Sequence, residues 1–475
     1  MPAQGPGGPN DRTHPLSSYF ISSSHNSYLV GGQLSGKVHA ERYTQILASG
    51  CRCVEIDAWD DNDIEEPKVT HGMTLVDHIS FRSACDAIGK QMDSEIEKSK
   101  KKGLPLPLPI FISLENHCSP KGQLRLAAIL KETMGDKLVT KPLHADGNEA
   151  QLRELEGKVM VMVEYSAFDD LAEFKIKQKD EQEAESLKNP GVDGDLSEVK
   201  IVSDLAALGV YAQSYKPTDD SWLKGPIKKP VNPLLNIGER ALLNIMEKDA
   251  EGVRRHNASA LTRVYPLGTR ITSTNLNPVP MWGVGVHIAA LNYQTFDHAM
   301  QLQEALFDRT YGWVLKPAYL RKEGGPRPEG NTRLRLEVVG GTDLPVPEGR
   351  DDNEMRPYVT CTLYHPEGGK PEKRKTSGYR RHKLEFLHRH EFLPATSPIW
   401  HHPETLEWTF PSDELVFLRI LIKSDDKLAR NPVFAATAVR VSYLQPGYVF
   451  LRLFNLRGEK TKGTLLVRFC VDAVG

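Results

Sequence analysis

Short apolar runs alternate with longer polar-faced segments over residues 15–165, and this alternation narrows the possible folds more than any other feature of the chain. The runs include Tyr19-Phe20-Ile21, Val54-Glu55-Ile56-Asp57, residues 110–114 (IFISL) and residues 159–163 (VMVMV), with helix-like stretches such as residues 124–134 between them. Such alternation marks βα units around a parallel sheet. It breaks down in a charged tract over residues 166–200 and returns over residues 201–320, most clearly in residues 284–292 (VGVHIAALN) and 313–316 (WVLK). Two half-sheets separated by an insert can close into one barrel. We therefore expect a split (β/α)8 TIM-like barrel in an α/β protein. A Gly/Pro-rich linker follows at 321–331 and then an all-β sandwich at 332–475, where short alternating runs and turn signals replace the helices. Residues 1–14 read as a flexible N-terminus.

The chain has 475 residues, with 60 Lys and Arg against 62 Asp and Glu. That balance offers no strong field for nucleic acid. No apolar stretch reaches the roughly 18 to 20 residues of a membrane span, and no secretory signal is recognisable. The six cysteines lack the spacing of a disulfide scaffold and of common zinc sites, so a reducing, cytoplasmic setting and core thiols are expected.

The chemistry concentrates at strand ends. On the strand through residues 52–57, the two-residue period puts Glu55 and Asp57 on one face and Val54 and Ile56 on the other. Two neighbouring acids are stable only if they share a proton or a cation neutralises them. A third acid, Glu115, ends the apolar run 110–114, and in a parallel barrel the C-terminal strand edges form the mouth. With the Asn26 carbonyl oxygen, Glu55, Asp57 and Glu115 make an all-oxygen set suited to Ca2+. His25 lies in residues 22–28 (SSSHNSY), and His71 follows the acid strand closely enough to reach the same mouth. For one acid alone, a surface salt bridge is as good a reading; all of them at strand ends together make coincidence a poor one.

Residues 22–28, 53–57 (CVEID), His71-Gly72, 113–117 (SLENH), 255–257 (RHN), 262–266 (TRVYP) and 281–283 (MWG) together resemble the eukaryotic phosphoinositide-specific phospholipase C family. The resemblance assigns residues 15–165 and 201–320 to the X and Y halves of its catalytic barrel and 332–475 to a C2 domain. Nothing in the chain resembles the pleckstrin-homology or EF-hand modules of many relatives. By resemblance, Asn26, Glu55, Asp57 and Glu115 bind catalytic Ca2+, and Glu55 or Asp57 accepts the proton of the inositol 2-hydroxyl. His25 stabilises the phosphorus centre, and His71 protonates the diacylglycerol oxygen and later activates water. Arg263 matches the phosphate-binding arginine and Tyr265 the ring-contacting tyrosine, while Asn236 stands where a serine is usual. Leu34, Met73 and Leu75 match an apolar ridge that dips into lipid, for which a core role is the alternative; Thr269 replaces a common tryptophan there. The expected partner is a phosphoinositide membrane surface, bound peripherally by a monomer, with no nucleic acid.

Several positions depart from the family. Met162 and Glu164 stand where two lysines usually hold ring phosphates, which implies a preference for less phosphorylated headgroups. Two other readings remain: a lipid-binding scaffold without turnover, and a phosphodiesterase for a different headgroup. In the C2 region, Arg356 and Ser424 occupy places where aspartates are usual, so strong Ca2+ binding is not expected there, with Asp343 and Asp426 left for a weak site. A basic tract of Lys370, Lys373, Arg374, Lys375, Arg380, Arg381, Lys383 and Arg389 offers a membrane contact or a solvated loop. The insert, with ten acids against five lysines over residues 168–200, reads as a restraint repelled by anionic lipid or as a passive linker.

Overall fold

The computed structural model describes residues 8, 10–33, 37–61, 66–72, 77–144, 149–164, 201–217, 219–227, 229–347, 351, 355–379, 393–400, 403–425 and 432–474. Leu34, Met73, Leu75, the insert 166–200, Asp426 and the basic residues from Arg380 to Arg389 lie outside them.

Eight parallel strands form a closed ring: β1 (Tyr19–Ser24), β2 (Cys53–Trp59), β3 (Ile110–His117), β4 (Val159–Glu164), β5 (Gln213–Tyr215), β6 (Pro233–Gly238), β7 (Leu261–Tyr265) and β8 (Ile288–Leu291). Pairing of Ser23 with Cys53 closes one side, and pairing of Ile21 with Ile288 closes the other. Helices α1 (Glu41–Ala48), α2 (Phe81–Lys102) and α3 (Pro120–Met134) cover the first half, and α4 (Glu239–Asn257) and α5 (His298–Phe307) cover the second. Serines cap two of them, with Ser80 accepting the Ser83 N–H and Ser119 the Gly122 N–H. Along β2 to β4, Val54, Ile56, Ile110, Ile112, Val159 and Val161 pack outward against the helices. Cys53, Phe111, Met160 and Met162 point inward and meet Ile21, Leu234, Leu261 and Ile288.

The inward residues change character along the strands, from this apolar plug to Glu55, Asp57, Asn236 and Arg263 near the C-terminal ends. Strand β4 runs on to Glu164, so Met162 is packed inside the barrel beside Ser113 while Glu164 is exposed at the rim. The run 284–292 is strand only from Ile288. Gly285 takes φ +79° in a turn just before it, and His287 is buried at the barrel floor.

The C-terminal region is a sandwich of two four-stranded antiparallel sheets. One is ordered β12 (Glu372–Lys375), β11 (Pro357–Tyr364), β14 (Phe417–Ser424) and β15 (Val433–Arg440); the other is β16 (Gly447–Phe454), β17 (Lys460–Val474), β10 (Asn331–Thr342) and β13 (Thr405–Pro411). Strand β9 (Trp313–Leu315) belongs to the barrel, antiparallel to β1. A single pair, Ala436 with Phe454, joins the two sheets. Alternate side chains such as Leu334, Leu336, Val338, Leu418, Ile420 and Ile422 fill the space between them, as a C2 domain requires. The sandwich also shares a core with the barrel: Phe20, Trp282, Leu306 and Val314 pack with Leu415 and Phe417, and the Trp282 and Phe417 rings lie 5.5 Å apart. Gly283 permits this approach, since a Cβ there would sit 2.7 Å from Pro366. Five of the six cysteines are buried, none in a disulfide.

Candidate functional site

The strands deliver polar groups to the barrel mouth, two of them, Glu55 and Asp57, from β2. Register places Asp57 beside Glu115 and Asn236 beside Arg263 on neighbouring strands. Ligand oxygens of Glu55, Asp57 and Glu115 all lie within 4.8 Å of one another. Glu55 and Asp57 are buried, whereas Glu115 is exposed and accepts a 2.9 Å hydrogen bond from His117. That bond holds the Glu115 carboxyl below its ordinary range. Burial, then the charges of Glu55 and Glu115, push the Asp57 carboxyl well above its own.

One cation answers this charge from inside the barrel. Arg263, itself buried, donates to Glu55 Oε1 at 2.5 Å and to Asn236 Oδ1 at 3.0 Å, with its guanidinium 5.7 Å from the centre of the Tyr265 ring. Asp57 Oδ1 is buried and has no hydrogen-bond partner. The Tyr28 hydroxyl sits between Asp57 Oδ2, which it bonds closely, and Asn26 Oδ1 at 3.2 Å. Its single proton serves Asp57, which leaves the Asn26 carbonyl oxygen with lone pairs to offer. An orphaned buried carboxylate oxygen within an all-oxygen cluster fits a hard divalent cation.

The chain turns sharply after β1. Asn26 has φ +45°, a left-handed conformation that asparagine tolerates. The turn directs the Asn26 backbone N–H to Glu55 Oε2 at 2.8 Å and leaves His25 Nε2 3.9 Å from the same carboxylate. His25 Nδ1 bonds Asn292 Oδ1 at 2.9 Å, and burial lowers the imidazole below its ordinary value. His71 Nδ1 lies 2.9 Å from the Gln33 carbonyl oxygen. Because a carbonyl only accepts, this contact fixes the Nδ1–H tautomer and gives proton exchange to Nε2.

His25, Asn26, Gln33, Asp57, His71, Glu115, Tyr265 and Asn292 line one pocket of about 420 Å3, whereas Glu55, Asn236 and Arg263 are not among its lining residues. Of the residues expected at the mouth, His25, Asn26, Asp57, His71, Glu115 and Tyr265 line this pocket; Glu55 lies within 4.8 Å of Asp57 and Glu115, Arg263 bonds Glu55 and Asn236, and the ridge positions lie outside the described residues. Trp59 and His117 stack with ring centres 4.0 Å apart and form part of the wall.

Three contributors were not foreseen: Tyr28, Gln33 and Asn292. Gln33 joins the others, since its side chain accepts from Asn26 Nδ2 at 2.6 Å and donates to Ser273 Oγ at 3.0 Å and to Asn292 Oδ1 at 3.2 Å. Asn292 ends an apolar strand as Glu115 does, a signal available in the sequence. Gln33 lies in a loop with no such signal.

Comparison with known proteins agrees with this arrangement. Residues 12–165 match the family described as phosphatidylinositol-specific phospholipase C, X domain, and residues 205–319 match its Y domain. The chain is 29% identical to the delta-1 form of 1-phosphatidylinositol 4,5-bisphosphate phosphodiesterase of Rattus norvegicus, over 97% of this chain and 61% of that protein. It is 30% identical to the zeta-1 form of Homo sapiens, over 94% of this chain and 72% of that protein. The chain therefore spans about three-fifths of the length of the rat relative. The solved structure of L. pealei PLC21 superposes with a TM-score of 0.76 at 24% identity, over 98% of this chain and 57% of that one, which shows the shared fold. Both halves of the barrel match, and a relative 30% identical is covered over more than two-thirds of its length, so the chain belongs to the eukaryotic phosphoinositide-specific phospholipase C family.

Proposed function

We propose that this protein is a Ca2+-dependent phosphoinositide phospholipase C, cleaving membrane phosphoinositides to diacylglycerol and inositol phosphates through a cyclic phosphate. The observation that carries this reading is the meeting of His25, His71, Asp57 and Glu115 on one pocket at the barrel mouth, with Glu55, paired to buried Arg263, completing a carboxylate cluster within 4.8 Å. Asn26, Glu55, Asp57 and Glu115 would hold Ca2+, which when bound supplies the Lewis acidity that makes the inositol 2-hydroxyl easier to ionise.

Glu55 or Asp57 takes the proton of that hydroxyl as its oxygen attacks phosphorus. His25 faces the phosphoryl oxygens from beside Glu55. His71 Nε2 gives a proton to the departing diacylglycerol oxygen as the bond from phosphorus to that oxygen breaks. The same nitrogen then takes a proton from the water that opens the cyclic phosphate. Tyr265 borders the space for the inositol ring, and Arg263, fixed by Glu55 and Asn236, lies with its guanidinium 5.7 Å from the centre of the Tyr265 ring.

Exposed Glu164 at the rim and packed Met162 supply no cation for ring phosphates, which supports a preference for headgroups with fewer of them. No helix among the described residues is long and apolar enough to cross a membrane, and the proposed attachment to the lipid surface is peripheral. The exposed edge strand β12 carries Lys373, Arg374 and Lys375 toward an anionic surface.

The test is release of water-soluble inositol phosphates from vesicles of phosphatidylinositol, its 4-phosphate or its 4,5-bisphosphate, with Ca2+ or a chelator. Calcium-dependent release, slowest on the bisphosphate, is expected. No release from any vesicle by folded protein would replace this reading with a non-catalytic lipid-binding scaffold or a different headgroup.

A further inference from the structure

A second cavity, of about 990 Å3, lies between the C-terminal rim of the barrel and the sandwich. Its barrel wall follows the ends of β1 and β8, at Gly31 and Gln294, and its sandwich wall includes Arg419 and Arg457. It shares no lining residue with the pocket at the mouth, although both lie at the same end of the barrel.

Arg42, Arg419 and Arg457 all line this cavity, and none forms an ion pair among the described residues. Arg42 donates from Nη1 to Gln45 Oε1 at 2.8 Å, while its Nε is buried without a partner. Arg419 donates from Nε to Gln301 Oε1 at 2.6 Å, a neutral acceptor that leaves its charge unbalanced. The amide nitrogen and oxygen of Gln294 are both buried and unpartnered.

Among the described residues, one carboxylate lines the cavity, that of Asp297, and it is already engaged. It accepts the backbone N–H groups of Asn275, Ala299 and Met300 and caps α5. His298 is lowered below 6.5 chiefly by burial, so it adds no charge near neutral pH. Three cations therefore face one occupied anion. Water in a space this large can satisfy orphaned N–H groups, and a bound anion would in addition pair with the guanidinium charges.

We propose that this seam is a second anion site that takes a phosphate group, gripped by Arg42 and Gln294 from the barrel and by Arg419 and Arg457 from the sandwich. Guanidinium forks match phosphate oxygens in geometry as well as charge, and the volume admits a glycerophosphate with room for water. The phosphate is either that of a soluble monoester or that of an anionic lipid headgroup. The site stands on these residues alone and does not depend on the proposed activity.

The experiment uses the full chain. Glycerol 3-phosphate is titrated calorimetrically, and flotation is measured with phosphatidylcholine vesicles with and without phosphatidic acid. Arg42→Gln combined with Arg457→Gln is expected to weaken phosphate binding by about tenfold or more. Arg457→Gln alone, an exposed change that cannot disturb folding, is expected to weaken it by about threefold.

Loss in the calorimetric arm assigns a soluble phosphate, and loss confined to vesicles with phosphatidic acid assigns a lipid headgroup; either supports the site. Unchanged binding of both probes would overturn it. So would equal loss on neutral vesicles, or displacement of glycerol 3-phosphate by an acidic peptide at lower concentration, which would make the seam a protein-binding surface.

Discussion

The two ends of the barrel bury ionisable groups in opposite ways. At the mouth, Glu55 and Asp57 are buried acids with one internal cation among the described residues, Arg263, and Asp57 Oδ1 and Arg263 Nε have no hydrogen-bond partner among those residues. At the floor, Lys316, His287 and His256 are buried bases, with no ion pair to an acid among the described residues. Lys316 Nζ lies 2.8 Å from the Ser17 carbonyl oxygen, 2.9 Å from that of Asn257 and 2.7 Å from His287 Nε2. The Thr262 N–H occupies His287 Nδ1 at 3.1 Å, so the proton of neutral His287 sits on Nε2. That N–H has the Ser17 carbonyl oxygen as an acceptor at 2.9 Å, and burial drives both His287 and Lys316 well below their ordinary values. The floor resolves its charges chiefly by discarding protons, although His256 Nε2 also lacks a hydrogen-bond partner among the described residues. The mouth keeps charge and unpartnered atoms, as a site awaiting a cation and an anionic substrate must.

The widest contrast should appear in turnover. His71→Ala removes a proton donor that touches no core, so release of inositol phosphates should fall by about 10² to 10⁴-fold with the melting temperature unchanged. Unaltered release would remove His71 from the mechanism. Arg263→Met comes next. It strands the Glu55 carboxylate, and breaking such a buried pair costs about 3–5 kcal/mol. Chemical denaturation in chelator should show that loss, and saturating Ca2+ should restore part of it. Equal destabilisation with and without Ca2+ would mean that the acids do not form the cation site.

The floor should respond to pH and not to Ca2+. His256 is lowered from 6.5 to about 4, chiefly by burial. As pH falls below 6.5 the unfolded histidine takes up a proton that the folded one refuses until about 4. Stability is therefore lost through that window, by on the order of 3 kcal/mol from this residue. Depressed Lys316 acts with the same sign, its share of stability growing as pH rises toward the ordinary lysine value. His256→Phe should flatten the acid limb of a plot of unfolding free energy against pH; an unchanged limb would place the proton uptake elsewhere. Lys316→Met, measured at neutral pH, should cost about 1–3 kcal/mol, through carbonyl groups left without donors. The loss should be the same in chelator and in Ca2+.

The mouth was more legible in the sequence than the floor, for a physical reason. Glu55, Asp57 and Glu115 interrupt apolar strands with charge, and a strand's period of two then fixes their common face. Lys316 and His287 lie at strand ends, where a polar residue usually means solvent, and only the closed ring shows that they are covered. The apolar seam between barrel and sandwich was hidden too, because Phe20 and Trp282 look like ordinary core residues until Phe417 packs on them. Gln33 was invisible in another way, since a loop glutamine has no periodicity to give its side chain a direction.

Gln33 also gives the subtlest test of the mouth. Its side chain holds the Asn26 amide and, through Asn292, the acceptor for His25. Its backbone carbonyl holds His71. Gln33→Ala cuts the first two links and keeps the third, so Asn26 and His25 should loosen while the His71 tautomer persists. We expect kcat to fall by about tenfold, the equivalent of one well-placed hydrogen bond, and the Ca2+ concentration for half-maximal rate to rise severalfold. KM should change less, because Gln33 is not expected to contact the substrate. If the rate fell with no change in Ca2+ dependence, the side chain would be acting through His25 alone. If rate and melting temperature fell together, Gln33 would be a structural strut, and the coupling of the two histidines through one residue would fail.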